Sequence, residues 1–300
     1  MIDIIQPIER EILKSELTSD RLLRNTNKAS NEIYVITAHN APNVMQEIGR
    51  LREESFRMAG GGTGLEVDID DSDTAEDGYN QLIVWDPKAE EIVGGYRFIV
   101  CQDSHTKHLS IEHYFNFSDK FREEYLPYTI ELGRSFVQPH YQGTRTNPKG
   151  IYALDNLWDG LGALMVFNPK AKYFLGKVTM YENYNKQARN TLLSFLDKYF
   201  ADKESLVTPI FPMDARLVLS DYATIFTGED YAENYKILNR TIRDLNENIP
   251  PLINSYMNLS PTMKCFGAVC NPDFGGVEET GILITMDDMY PEKVARHKTF

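Results

Sequence analysis

The feature that most restricts this chain is the stretch IELGRSFVQPHYQ, residues 130–142. Ile130, Leu132, Phe136 and Val137 have the β-branched and apolar character of a strand entering a core. Glu131 and Arg134 stand inside that strand, and Gly133 weakens it. Charges in a central strand are costly unless they are paired or used. Strand alternation puts Glu131, Gly133 and Ser135 on one face, and Leu132, Arg134 and Phe136 on the other. A bulge, which Gly133 permits, changes that register.

Around this strand the pattern alternates between periods. IQPIEREILKSEL predicts an amphipathic helix, and EIYVITA (32–38) a strand. Asn40 and Pro42 open a second helix that runs to the glycines at 60, 61, 62 and 64. QLIVWD and EIVGGYRFIV flank the turn DPKAE and predict a hairpin. ALDNLWDGLGALMVFNP is a helix stopped by Pro169, AKYFLGKVTMY a strand, and NKQARNTLLSFLDKYF another helix. The last third holds a loop-rich segment, a helix near PPLINSYMNL, and strands in CFGAVC and TGILITM. No repeat or low-complexity linker interrupts it. The expectation is an α/β fold, a mixed sheet with helices on its faces.

Composition excludes some functions. A net charge of −13 argues against nucleic acid, whose phosphates need a basic face. Three scattered cysteines, Cys101, Cys265 and Cys270, suit a reducing cytosol rather than a disulfide framework. The N-terminus carries early acids and no apolar h-region, and no apolar run reaches membrane-span length. The expected location is cytoplasmic, with room for peripheral contact at the inner membrane surface. GGGTG follows a helix and lacks the Lys-Ser/Thr of a phosphate loop, so a helix cap and hinge is the reading. DIDDSDTAED matches no calcium-loop register, and His105 and His108 lack a ligand framework, so no metal is expected. Neither a Gly-x-Ser-x-Gly elbow nor a His-x-x-x-x-Asp pair occurs.

Four segments come in a telling order: EIGRLREESFRMAGGGTGLEVDIDDSD, NQLIVWDPKAEEIVGGYRFI, IELGRSFVQPHYQ and LWDGLGALMVFNPKAKYFLGKVTM. The set resembles the hemolysin-like branch of the GNAT acyltransferase superfamily, which contains ornithine lipid and glycine lipid N-acyltransferases. It is more distantly similar to acyl-homoserine lactone synthases. The resemblance reaches the C-terminal IPPLINSYMNLSPTMKCFGAVCNPDFGGVEETGILITMDD and so covers most of the chain. It implies a GNAT-like mixed central sheet in which two parallel strands splay apart to grip a pantetheine arm. Residues 1–200 would form that core, with 201–300 as a C-terminal extension packing on it or completing it. Glu131 is implied as the general base, and Tyr184, or its neighbour Tyr181, as the acid for the leaving thiolate. Arg52, Phe56, Asp68, Asp70, Arg97, Gly133, Arg134, Ser135, Phe136 and Val137 are implied as substrate-binding residues. The bland alternative is a buried ion-pair network of Glu131, Arg134, Arg52 and Arg97 with the acidic segment.

N-acylation needs an amine that sheds its proton, a donor for the tetrahedral oxyanion, and a thioester held in line. Coenzyme A-dependent members usually carry Gln/Arg-x-x-Gly-x-Gly/Ala after the central strand, to cradle a pyrophosphate. YQGTRTNPKGIYALD departs from that spacing. The expected donor is therefore an acyl-phosphopantetheine thioester on acyl carrier protein, a co-substrate rather than a cofactor. Arg145, Lys149 and Arg24 are candidates to meet that acidic carrier. The expected acceptor is a small amino acid, glycine or ornithine, and the product a lyso-aminolipid carrying a long 3-hydroxyacyl chain. Trp158, Leu161, Leu164 and Met165 recur at helical spacing as core or acyl-channel lining. A coenzyme A-dependent enzyme with another amine acceptor, and a silent acyl- or carrier-binding module, stay open as alternatives.

Overall fold

The computed structural model describes residues 1–103, 105–106, 109–142, 148–213, 222 and 224–299. Helix α1 (Arg10–Glu16) precedes strands β1 (Leu22–Asn25) and β2 (Glu32–Ile36). Helix α2 (Pro42–Ala59) leads through the short α3 (Asp71–Thr74) to the hairpin β3 (Asn80–Asp86) and β4 (Glu91–Val100). After β5 (Phe115–Phe117) come β6 (Thr129–Val137), α4 (Ala153–Phe167), β7 (Tyr173–Met180) and α5 (Lys186–Phe200). The last third adds β8 (Val207–Pro209), α6 (Tyr231–Asp244), α7 (Pro251–Met257), β9 (Lys264–Asn271), β10 (Val277–Thr285) and α8 (Pro291–Val294).

Eight strands form one mixed sheet in the order β1-β2-β3-β4-β6-β7-β10-β9. Its two halves meet at the parallel pair β6 and β7, and every other neighbour pair is antiparallel. The extension beyond residue 200 thus supplies two strands of the same sheet, with β10 seated between β7 and β9. Helix α2 covers one face, packing Val44, Ile48 and Leu51 against Ile83, Trp85 and Phe136. Helices α4 and α5 cover the other, where Leu157, Leu161, Leu192 and Phe195 meet Tyr96, Phe98, Ile130 and Phe174.

The opening stretch folds as β6, with a change of register. Gly95 pairs with Phe136 and Arg97 with Gly133, so β6 carries one residue more than β4 between those pairs. The extra residue is a bulge in which Arg134 takes a φ of +51°, a left-handed conformation uncommon for a side chain other than glycine, asparagine or aspartate. Simple alternation would have put Phe136 beside Leu132. Instead Leu132 packs toward α4 and α5, and Phe136 toward α2.

The glycine-rich loop ends α2 as a cap. Gly60 adopts φ +99° and donates back to Arg57. The Glu53 carboxylate then accepts from the Thr63 and Gly64 amides and the Thr63 hydroxyl. Those donors serve a carboxylate of the chain itself. Sequence periodicity missed α6 and the short strands β1, β5 and β8. Among the described residues, no helix is long and apolar enough to cross a membrane.

Candidate active site

Strands β6 and β7 pair from Thr129 with Tyr173 to Leu132 with Gly176, and the pairing stops there. Both strands continue, to Val137 and Met180, so they diverge around Gly133 and Lys177. The bulge at Arg134 turns β6 away at that point, and the backbone edge of Gly133–Ser135 faces a cleft rather than a strand.

Three branches meet at Ser135 and Leu252. The first is apolar, about 680 Å³, and runs beneath α4 past Leu157, Trp158, Leu161, Phe174 and Tyr256. The second, the polar branch, about 920 Å³, brings Arg97, Ser110, Arg134, Lys177 and Glu279 together beside apolar side chains such as Phe56, Leu252 and Phe274. It opens outward past Asp70, His113 and Asn271. The third, about 1090 Å³, lies between the end of α2 and the start of α4, with Phe56, Val137, Gln142 and Leu154 on its walls.

The floor of the polar branch is a network of buried ions. Asp73 lies 3.2 Å from both Arg52 and Arg97. Arg97 also holds Asp70 at 2.7 Å and lies 4.8 Å over the Tyr79 ring. Arg134 pairs with Asp68 at 2.9 Å and stacks 4.4 Å over Phe274. Phe274 in turn meets Phe56 edge-on at 5.1 Å. Burial opposes ionisation of Asp73, yet the Arg52 and Arg97 guanidiniums outweigh it and hold that carboxyl well below the usual carboxylate range. Asp68 goes the other way: burial pushes it up against the pull of Arg134 and Arg52.

Glu131 is buried one layer beneath the polar branch. Its Oε2 accepts from the Tyr79 hydroxyl at 2.6 Å. Its Oε1 accepts from Ser110 Oγ at 2.8 Å and from the Ile111 amide at 3.0 Å. Ser110 lines the cleft, so its hydroxyl is the link between Glu131 and anything bound there. Burial raises the Glu131 pKa, while the bonds from Tyr79 and Ser110 and the charges of Lys177 and Arg97 oppose the rise.

Comparison with known proteins agrees with this architecture. Residues 51–148 match the family described as acetyltransferase (GNAT) domain. A glycine N(alpha)-acyltransferase of Bacteroides thetaiotaomicron is 56% identical, over 99% of this chain and 90% of the relative. One from Phocaeicola vulgatus is 55% identical, over 99% of this chain and 93% of the relative. This chain belongs to the GNAT acyltransferases.

The GNAT acyltransferase assembles most of the residues its sequence singled out. Phe56, Arg97, Gly133, Arg134 and Ser135 line the polar branch, and Ser135, Phe136 and Val137 the third one. Asp70 stands at the outer mouth. Arg52 has no exposed surface, bonds to Gln81 and Asp73, and lines none of the three branches. Asp68 is likewise buried, behind Arg134. Tyr184 donates to the Asn248 carbonyl at 3.0 Å and lines none of the three branches. Tyr181 lines two of them, and burial pushes its phenol up to about 12. Arg24 is buried and bonded to the His297 carbonyl, which removes it as a carrier contact. Arg145 lies outside the described residues, as does the Lys149 side chain.

Sequence reasoning missed Tyr79, Ser110, Asp73, Lys177 and Glu279. Asp73 had a signal: with Asp70 it forms a reciprocal capping box at the start of α3. Ser110 had none, because a turn of 3₁₀ helix, Ser110–His113, carries it to Glu131 from 21 residues away.

Proposed function

We propose that this acyltransferase moves a long acyl chain from a phosphopantetheine thioester on acyl carrier protein to the amine of glycine, giving an N-acylglycine. The observation that carries the reading is the junction at Ser135, where an apolar branch beneath α4 meets a branch that presents Arg97, Arg134 and Lys177, side chains suited to a carboxylate. The relatives' activity supports glycine as acceptor. The missing pyrophosphate spacing after β6 supports a carrier-protein donor.

In this reading the thioester carbonyl sits at the splay, its acyl chain in the apolar branch and its pantetheine arm in the third. The glycine nitrogen attacks from the polar branch. One proton of the glycine ammonium passes through the Ser110 hydroxyl to Glu131; the neutral nitrogen then attacks, a C–N bond forms, the C–S bond breaks, and the nitrogen's second proton goes to the departing thiolate. The Tyr181 phenol, which burial pushes up to about 12, stays protonated at neutral pH and donates a hydrogen bond to the departing sulfur. The backbone of Gly133–Ser135, unpaired on its β7 side, faces the oxyanion.

The test is turnover by the purified chain with long-chain acyl carrier protein and glycine. Free carrier thiol and N-acylglycine should appear in equal amounts, the second identified by mass spectrometry. Parallel reactions with the same acyl group on coenzyme A, and with ornithine in competition, separate the alternatives. Turnover with acyl-coenzyme A alone, or a strong preference for ornithine, would replace this reading.

A further inference from the structure

A buried carboxylate and a half-buried ammonium in the polar branch have no role in the chemistry above. Lys177 on β7 and Glu279 on β10 lie on the same face of the sheet, with Lys177 Nζ 2.9 Å from Glu279 Oε2. Both line the cavity, whereas Glu131 is screened from it by Ser110. Glu279 is 3% exposed. Its Oε1 accepts from Asn271 at 3.3 Å. Its Oε2, although close to the ammonium, accepts no aligned hydrogen bond. Lys177 donates weakly to the Ser110 carbonyl at 3.3 Å and stands 4.4 Å over the Tyr114 ring. Tyr114 bonds Asn271 at 2.7 Å, so the pair is fixed from both sides.

An ion pair whose carboxylate is buried and which lines an open cavity is an expensive way to hold two strands together, since apolar residues would do as well. Its geometry has another use. An amino acid zwitterion carries an ammonium and a carboxylate a few bonds apart, a span close to that between Lys177 and Glu279. Laid antiparallel on the pair, the two dipoles place each charge beside its opposite.

We propose that Lys177 and Glu279 form the clamp for the acceptor zwitterion: Glu279 receives the ammonium and Lys177 the carboxylate. The inference rests on the proposed acylation of an amino acid and adds the residues that select it. Arg134, whose Nε is occupied by Asp68, stands on the same wall as a further partner for the carboxylate. An amine without a carboxylate, or a carboxylate without an amine, satisfies half the clamp and leaves the other charge competing for its old partner. The clamp therefore explains how a cavity much larger than glycine can still choose a small amino acid: it reads charge separation, not volume. Lys177 bonds the Ser110 carbonyl, so the clamp adjoins the residue at which the proton relay begins.

Steady-state kinetics at saturating donor test the clamp with Glu279→Gln and Lys177→Met. Losing one charge-assisted contact should raise the KM for glycine about ten- to a hundredfold. The rate at saturating glycine should fall much less, because Glu131 and Ser110 are untouched. Wild-type protein should be inhibited competitively by other small zwitterions, and far more weakly by glycinamide or acetate. Circular dichroism melts establish that each variant is folded. Should Glu279→Gln unfold, the inhibitor series on the wild type decides alone. An unchanged glycine KM in a folded Glu279→Gln variant, or glycinamide and acetate inhibiting as well as the zwitterions, would overturn the clamp. Wild type that ignores glycine but acylates another amino acid would end the glycine reading, and the KM comparison then runs with that amino acid. Turnover only of amines lacking a carboxylate would overturn both.

Discussion

At the scale of single residues, the site is built from charges that cannot be moved one at a time. Glu131→Gln keeps size and most hydrogen bonding but cannot receive a proton through Ser110. Its kcat should fall about a hundred- to ten-thousand-fold, while the circular dichroism spectrum stays native. Because burial raises the Glu131 pKa, the wild-type acid limb of kcat/KM should lie above the ordinary carboxylate range. That limb should disappear in the variant. A stable variant with near-normal kcat would reassign the base. Asp73 makes the opposite prediction. It neutralises the buried Arg52 and Arg97 together, and Asp73→Asn leaves both undercompensated. The expected cost is about 3–5 kcal/mol in a urea melt. The sign with pH follows from its depressed pKa. The stabilisation from Asp73 is fully present above the unfolded-state carboxyl pKa of about 3.9 and is lost as pH falls toward the folded value. The wild type should lose stability on acidification, and Asp73→Asn should lose less, starting from a lower value.

At the scale of elements, the bulge in β6 and the inner face of α4 divide the work. The bulge opens the cleft by ending the β6–β7 pairing after Leu132 and Gly176. Helix α4 walls the apolar branch with Leu157, Trp158 and Leu161. Leu164, one turn on, is core, and Met165 lines a small void behind the branch, shared with Trp158 and Leu161. Leu161→Trp should shorten the space open to an acyl chain. Each methylene excluded lowers kcat/KM about fourfold, so long donors should lose far more than short ones. Equal losses for donors of every length, measured in parallel assays, would place the acyl chain elsewhere.

At the scale of the whole molecule, the sheet is one cooperative unit. Strand β10 pairs with β7 along its full length, from Tyr173 with Thr285 to Met180 with Glu278. It also brings Glu279 to the site. A chain ending at residue 200 would expose the β7 edge and the apolar faces that α6, α7 and β10 cover. That truncation should fail to show a cooperative melt or near-ultraviolet dichroism. The chain carries a net charge of −13, and the cations of the polar branch each face a carboxylate: Arg97 faces Asp70 and Asp73, Arg134 faces Asp68, and Lys177 faces Glu279.

Much of this was decided locally. Hydrophobic patterning placed α2, α4, α5 and the strands β3, β4, β6, β7, β9 and β10, because the helices bury one stripe and central strands such as β3 and β4 bury a continuous run. Charges inside IELGRSFV announced that β6 had to pair them or use them, because an unpaired charge does not survive in a core. Tertiary structure alone decided the rest. The register of β6 depends on one extra residue at Arg134, which reverses the face of Phe136 and cannot be read from an alternating pattern. Glu131 meets Ser110 and Tyr79 across 21 and 52 residues of sequence, and Lys177 meets Glu279 across two strands. Such pairs form because neighbouring strands bring distant residues into contact, and no local period records which strands will be neighbours.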